Sequence, residues 1–215
     1  SSDLENPESY LHIWMGAPMS QGDARLISAE SVRRAFEPKI ESTTSPLIVG
    51  LDIARFGNDK TTFCFRKGRL CTGFECYEKL SNVEVANAAT AIIEEYHPMR
   101  MFMDVGGQGA GVYDILKDRG FGEIIRGIYF GEKALKADRY FNRRAEMWDK
   151  INRWLEALPP PQLPADEDLF DELVSINKKF DGKGRLQLED KDEIKKRLGR
   201  SPDKADALAL TFAEP

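Results

Sequence analysis

Histidine is nearly missing from this 215-residue chain: there are two, His12 and His97. That leaves almost no room for a metal centre built on imidazole. Cysteine is scarce too. Cys64, Cys71 and Cys76 are odd in number and lack the C-x-x-C spacing, which points to reduced thiols in a cytosolic-type compartment rather than a disulfide or zinc framework. No apolar run approaches the ~20 residues that a membrane span requires, so no membrane partner is expected. The polar start Ser1-Ser2-Asp3 is not a signal peptide. Internal repeats and low-complexity tracts are also absent. What remains is 41% hydrophobic and 31% charged residues, the composition of an ordinary globule long enough to bury a full core in one or two domains.

The net charge of −5 argues at first against nucleic acid as a partner. Its distribution argues otherwise. Residues 126–153 carry +4, residues 154–176 carry −6, and residues 177–200 carry +4. The first basic segment includes Arg143 and Arg144, the second Lys183 and Arg185. Both are readable as solvated helix faces, or as local patches that contact phosphate whatever the overall charge.

Periodicity orders the chain. Residues 1–45 read as an irregular arm with one short helix near Glu30–Phe36. Leu47–Ala54 is a continuous apolar run, a buried strand, interrupted by one acid, Asp52. Thr61–Arg66 and Leu70–Lys79 form a hairpin about Lys67-Gly68-Arg69. Asn82–Tyr96 has the helical period, Arg100–Val105 is a fourth strand, Ala110–Arg119 a helix closed by Gly120, and Glu123–Phe130 a fifth strand. A long helix covers Tyr140–Leu158 and stops at three prolines. Then follow an acidic helix over Asp166–Asn177, a hairpin over Phe180–Leu188, a basic helix over Lys191–Leu198, and a last helix capped by Ser201 with Pro202 at its first position. The order predicts an α/β fold: a mixed sheet of about five strands with one antiparallel strand, helices on both faces, and an added β-hairpin.

Three acids stand where this topology brings chains together. A carboxylate inside the first strand, Asp52, is costly to bury alone. Asp104 ends the fourth strand, where ligands gather in open α/β sheets. If the two strands are parallel neighbours, Asp52 and Asp104 face each other. Asp203 and Asp206, three apart, share a face of the last helix and repel unless a cation intervenes. Asp203 is equally readable as a helix-dipole partner; Asp206 sits too deep for that. Acids with few histidines favour Mg²⁺ or Mn²⁺. Two such ions ~4 Å apart suit in-line phosphodiester cleavage.

The residues that carry these acids also carry a resemblance. Leu47–Thr61, Met103–Val112 and Ser201–Leu208 resemble, in order, the three nuclease motifs of the large terminase subunit of tailed double-stranded DNA bacteriophages. Asn142–Trp148 resembles a recurring helix of that family, and Tyr10–Gly16 resembles the connector that follows its motor domain. The resemblance implies an RNase H-like fold, shared with RuvC-type resolvases and integrases. It also implies a metal-dependent endonuclease that cuts concatemeric viral DNA during packaging. Carried over, Asp52, Asp104 and Asp206 are metal ligands and catalytic residues, with Asp203 at a variable position of the motif. No G-x-x-x-x-G-K-[ST] occurs, so the ATPase motor of such proteins is absent. Residues 1–45 then read as an arm from that missing domain and 46–215 as the nuclease. The partners implied are double-stranded DNA and, in a full-length protein, an ATPase domain, the small terminase subunit and the capsid portal. The implied location is the host cytoplasm and, transiently, the procapsid, but not the mature virion.

Other features stay open at this point. Lys60 either binds phosphate or pairs with Asp59. Arg143 and Arg144 contact DNA, or one pairs with Glu146 or Asp149. Gly106–Gly111 either packs beside the acids or cradles a phosphate. The 178–190 hairpin is a DNA-facing flap or a surface insertion. Two other functions compete: a nucleotide-binding module of the actin-like or sugar-kinase type, and a catalytically silent domain that docks DNA or a portal.

Overall fold

The structure, a computed structural model, describes residues 24–37, 39–54 and 59–214. The connector-like segment Tyr10–Gly16 lies outside them. A five-stranded sheet forms the centre, with β1 (Leu47–Asp52), β2 (Lys60–Lys67), β3 (Leu70–Glu78), β4 (Arg100–Asp104) and β5 (Ile125–Ile128) in the order β3-β2-β1-β4-β5. β2 is antiparallel to β1 and β3, whereas β1, β4 and β5 run parallel. This is the mixed sheet the sequence predicts.

The pleat sorts the strand residues onto two faces. Leu47, Val49 and Leu51 of β1 and Met101 and Met103 of β4 pack with α2 (Asn82–Tyr96) and α3 (Gly109–Leu116). Phe102 points the other way, into a second core with Ala145, Trp148 and Ile151 of α4 (Arg143–Glu156) and Leu208 of α7 (Asp203–Leu210). That second core also takes in α1 (Ala29–Ala35), α5 (Glu167–Ser175) and Ile194 of α6 (Lys191–Leu198). Covering on both faces explains why β1 reads as an unbroken apolar run. α1 is stitched into this body: the Leu26 amide donates to the Ile176 carbonyl at 2.9 Å.

Local signals set the elements. Ser81 and Glu84 form a capping box at the start of α2, and Asp166 caps α5. After α3 the chain widens into a π turn over Lys117–Phe121, with Gly120 at φ +92. The short strands β6 (Lys178–Phe180) and β7 (Leu186–Leu188) form the added hairpin. The expectation at α7 needs correction: Pro202, not Ser201, is the N-cap, and no side chain of its own turn caps the helix. Instead Glu172 of α5 accepts the Ala205 amide at 2.9 Å.

Candidate active site

Parallel pairing aligns the ends of β1 and β4. Leu51 lies beside Met103, so Asp52 and Asp104, one residue further on, emerge side by side at the carboxyl edge. α7 crosses β1 on the face shared by Asp52, Asp104 and Phe102. It reaches that close because residue 50 is glycine: a Cβ there would lie 2.0 Å from the Ala207 carbonyl oxygen. Gly109 does the same on the other side, where a Cβ would sit 1.8 Å from the Asp104 carbonyl oxygen. The glycine-rich segment after β4 therefore serves close packing. The Gly106 amide, in the same turn, donates to Asp104 Oδ1 at 2.9 Å.

The result is a cleft of about 390 Å³ lined by Asp52, Asp104 and Asp203, with Asp59, Tyr129 and Lys191 around them. Asp52 is buried. Burial pushes its carboxyl well above the usual range; Lys191 opposes this, and the charges of Asp206, Asp203 and Asp104 reinforce it. Among the described residues no hydrogen bond reaches the Asp52 side chain. Asp203 is raised to about 6, chiefly by burial, although Oδ2 accepts the Lys60 amide at 2.8 Å.

Asp206 differs. It is fully buried, and its two oxygens are engaged by Arg144 Nε at 3.0 Å and Nη2 at 3.2 Å, Trp148 Nε1 at 2.8 Å and Lys191 Nζ at 3.0 Å. Burial alone would raise its carboxyl, but Arg144 and Lys191 outweigh that and hold it below the ordinary value. Of the four acids, Asp52, Asp104 and Asp203 thus face the cleft, while Asp206 stands behind them, bound to cations. Among the described residues no three acids converge as a closed ligand group. The ammonium of Lys191 lies among them instead, over the Phe130 ring at 5.3 Å.

The donor set fits a hard divalent cation in kind: several carboxylates, one buried without a hydrogen bond, and no soft ligand. In arrangement, the Lys191 ammonium occupies one oxygen of Asp206 at 3.0 Å.

The basic residues are placed less simply. Arg143 is 4% exposed and donates to the Ala213 carbonyl, so it braces the segment after α7 and presents no surface to DNA. Arg144 reaches the cleft wall but is committed to Asp206. Arg143 also pairs with Glu146 at 3.8 Å, whereas neither arginine pairs with Asp149, which binds Tyr140 Oη and Arg153 instead. Lys60 pairs with Glu78 at 3.4 Å, while Asp59 takes Lys195 at 2.8 Å. Arg185 pairs with Asp181 at 2.7 Å and lies over the Phe141 ring, and Lys183 sits exposed at the hairpin tip. Sequence reasoning did not find Lys191, Glu172 or Tyr129. Glu172 left a signal, an acid on the Leu169–Leu173 apolar stripe. Lys191 left none beyond its basic segment.

No family profile and no curated protein matches this chain. Solved structures do. The nuclease domain of the large terminase subunit gp2 of bacterial virus Sf6 is 24% identical, with a TM-score of 0.75, covering 88% of this chain and 99% of that one. A variant of that domain with manganese and beta-thujaplicinol gives 23% and 0.75, with the same coverage. The large terminase nuclease from thermophilic phage G20c with bound magnesium gives 14% and 0.64, over 91% and 99%. These likenesses show the fold, which is the RNase H-like one the motifs imply.

Proposed function

We propose that this chain is a metal-dependent DNA endonuclease that cuts concatemeric viral DNA during phage genome packaging. One observation carries the reading. Asp52, Asp104 and Asp203 line a single cleft at the carboxyl edge of a sheet whose fold is that of terminase nuclease domains. Metal-bound forms of those domains, with manganese and magnesium, support the choice of ion.

In this reading Asp52, Asp104 and Asp203 would hold Mg²⁺ or Mn²⁺, with two ions expected, and Asp206 would join them on release from Lys191. The bound ions would activate water and stabilise the departing 3′ oxygen. The chain's own residues do the rest. Arg144 and Trp148 fix Asp206 and so fix α7, which carries Asp203. The Lys60 amide orients Asp203. Once displaced from Asp206, Lys191 supplies a cation beside the scissile phosphate. Lys60, Lys183 and Arg185 would serve as phosphate contacts, which give little sequence preference. The remaining assignments follow the same reading: double-stranded DNA as substrate, and an ATPase domain, the small terminase subunit and the capsid portal as partners in a longer protein. Action in the host cytoplasm and transiently on the procapsid belongs with them. Among the described residues no helix is long and apolar enough to cross a membrane.

The test is nicking of supercoiled plasmid with and without Mn²⁺ or Mg²⁺. The reading predicts nicking only with metal, abolished in Asp52→Asn and Asp104→Asn with the fold intact.

A further inference from the structure

Three parallel strands end in consecutive positions at the cleft: β1 at Asp52, β4 at Asp104 and β5 at Ile128, which pairs with Asp104. The residue that continues the third is Tyr129. It lines the same cleft as the acids, yet it is 55% exposed. Among the described residues no hydrogen bond, ion pair or ring contact engages its side chain.

The ring is held in place. A Cβ at Gly131 would lie 2.9 Å from Tyr129 Cε1 and 3.3 Å from Cζ, so the glycine lets the ring rest on the backbone. The loop beneath is clamped to the start of α4. The Arg144 amide donates to the Phe130 carbonyl at 3.1 Å, the Arg143 amide to the Glu132 carbonyl at 2.9 Å, and the Glu132 amide to the Tyr129 carbonyl at 3.0 Å. A rigid loop therefore offers one face of an aromatic ring at the lip of a carboxylate cleft. That is the arrangement of a stacking platform, because every base has a π face and stacking tolerates any sequence.

We propose that Tyr129 stacks on the base of a nucleotide next to the scissile phosphate and so sets how the strand enters the cleft. This rests on the nuclease reading. Stacking on one base requires that base to leave its own stack. The platform thus favours substrates that already have an unpaired base at that position, such as a gap or a frayed end, over intact duplex.

The experiment uses short DNA duplexes with a one-nucleotide gap, carrying 2-aminopurine opposite the gap or at successive positions beside it, with nicking of the same duplexes in Mn²⁺. The wild type and Tyr129→Phe should quench the probe at one position and share KM within about twofold. Tyr129→Ala should lose the quench and raise KM by about 5- to 30-fold, with kcat changed far less. Loss of kcat with unchanged KM would make Tyr129 merely structural and overturn the proposal, as would a quench that survives in Tyr129→Ala. If the wild type nicks DNA and Tyr129→Ala matches it in KM and quench, only the platform falls. If the wild type neither binds nor nicks DNA, the nuclease reading falls and takes the platform with it.

Discussion

Two acids, Asp52 in the cleft and Asp206 behind it, have opposite energetics. Asp52 is buried among other carboxylates with no hydrogen-bond donor among the described residues, so the metal-free protein bears the cost of its charge. Asp206 is equally deep but compensated by Arg144, Lys191 and Trp148. Neutralising the first should therefore relieve the fold and neutralising the second should damage it. Asp52→Asn should raise metal-free stability by about 1–2 kcal/mol at pH 7 in urea unfolding. Asp206→Asn should lower it by about 3–5 kcal/mol, because the buried guanidinium of Arg144 loses its partner. Equal effects of the two variants would contradict the division of roles. Asp203 adds a pH dependence. Its folded-state carboxyl, near 6, lies above the ordinary 3.8. Between about pH 4 and 6 the folded protein keeps a proton that the unfolded chain has released. Metal-free stability attributable to Asp203 is thus lost as pH rises across that window and is flat above it. Metal binding runs the other way, since the ion displaces the proton. Mn²⁺ affinity by calorimetry should climb from pH 5 to 7, and Asp203→Asn should flatten that climb. The positions of these acids along the chain were legible as chemistry. The commitment of Arg143 and Arg144 was not. The local pair of Arg143 with Glu146 was within reach of the sequence, but the longer-range partners, Ala213 for Arg143 and Asp206 for Arg144, lie 70 and 62 residues away, where no local pattern reaches.

The strands and helices were legible because their signals are local. α2 and α6 match their predicted bounds, and β1 announces itself by apolar residues facing both cores. The start of α7 was misread for the same reason. Ser201-Pro202 looks like a cap, yet the capping oxygen comes from Glu172 on α5, a tertiary contact. That buried carboxyl is raised to about 8, first by burial, with Arg200 and the Ala205 amide opposing. The seat of α7 on the sheet was likewise invisible, since a glycine inside a strand does not say what approaches it. Gly50→Ala tests that seat. The added methyl would meet the Ala207 carbonyl oxygen, which belongs to the helix backbone and cannot rotate away. We expect a loss of about 1–3 kcal/mol in thermal unfolding. Metal response should be lost as well, because the helix that brings Asp203 and Asp206 to Asp52 is displaced. A variant with wild-type stability and metal affinity would show that α7 tolerates the shift.

Taken whole, and on the proposed reading, the chain reconciles a net charge of −5 with an anionic substrate by gathering Asp52, Asp104 and Asp203 in one cleft. The carboxylates that count against DNA in a total become the seat of cations, which offset them where phosphate must approach. The basic residues proposed to contact phosphate, the exposed Lys60 and Lys183 with the partly exposed Arg185, are few. Affinity for plasmid should therefore fall with salt, but with a shallow slope of about −2 to −4 in log–log form. A slope near zero would leave DNA without its phosphate contacts.

The most direct test of the central claim is nicking of supercoiled plasmid in Mn²⁺ by the wild type, Asp52→Asn and Asp104→Asn, each first shown to be folded by circular dichroism. The account predicts relaxed circles with the wild type, none without metal, and a loss of at least about 100-fold in either variant. Undiminished cleavage by folded Asp52→Asn and Asp104→Asn would contradict it.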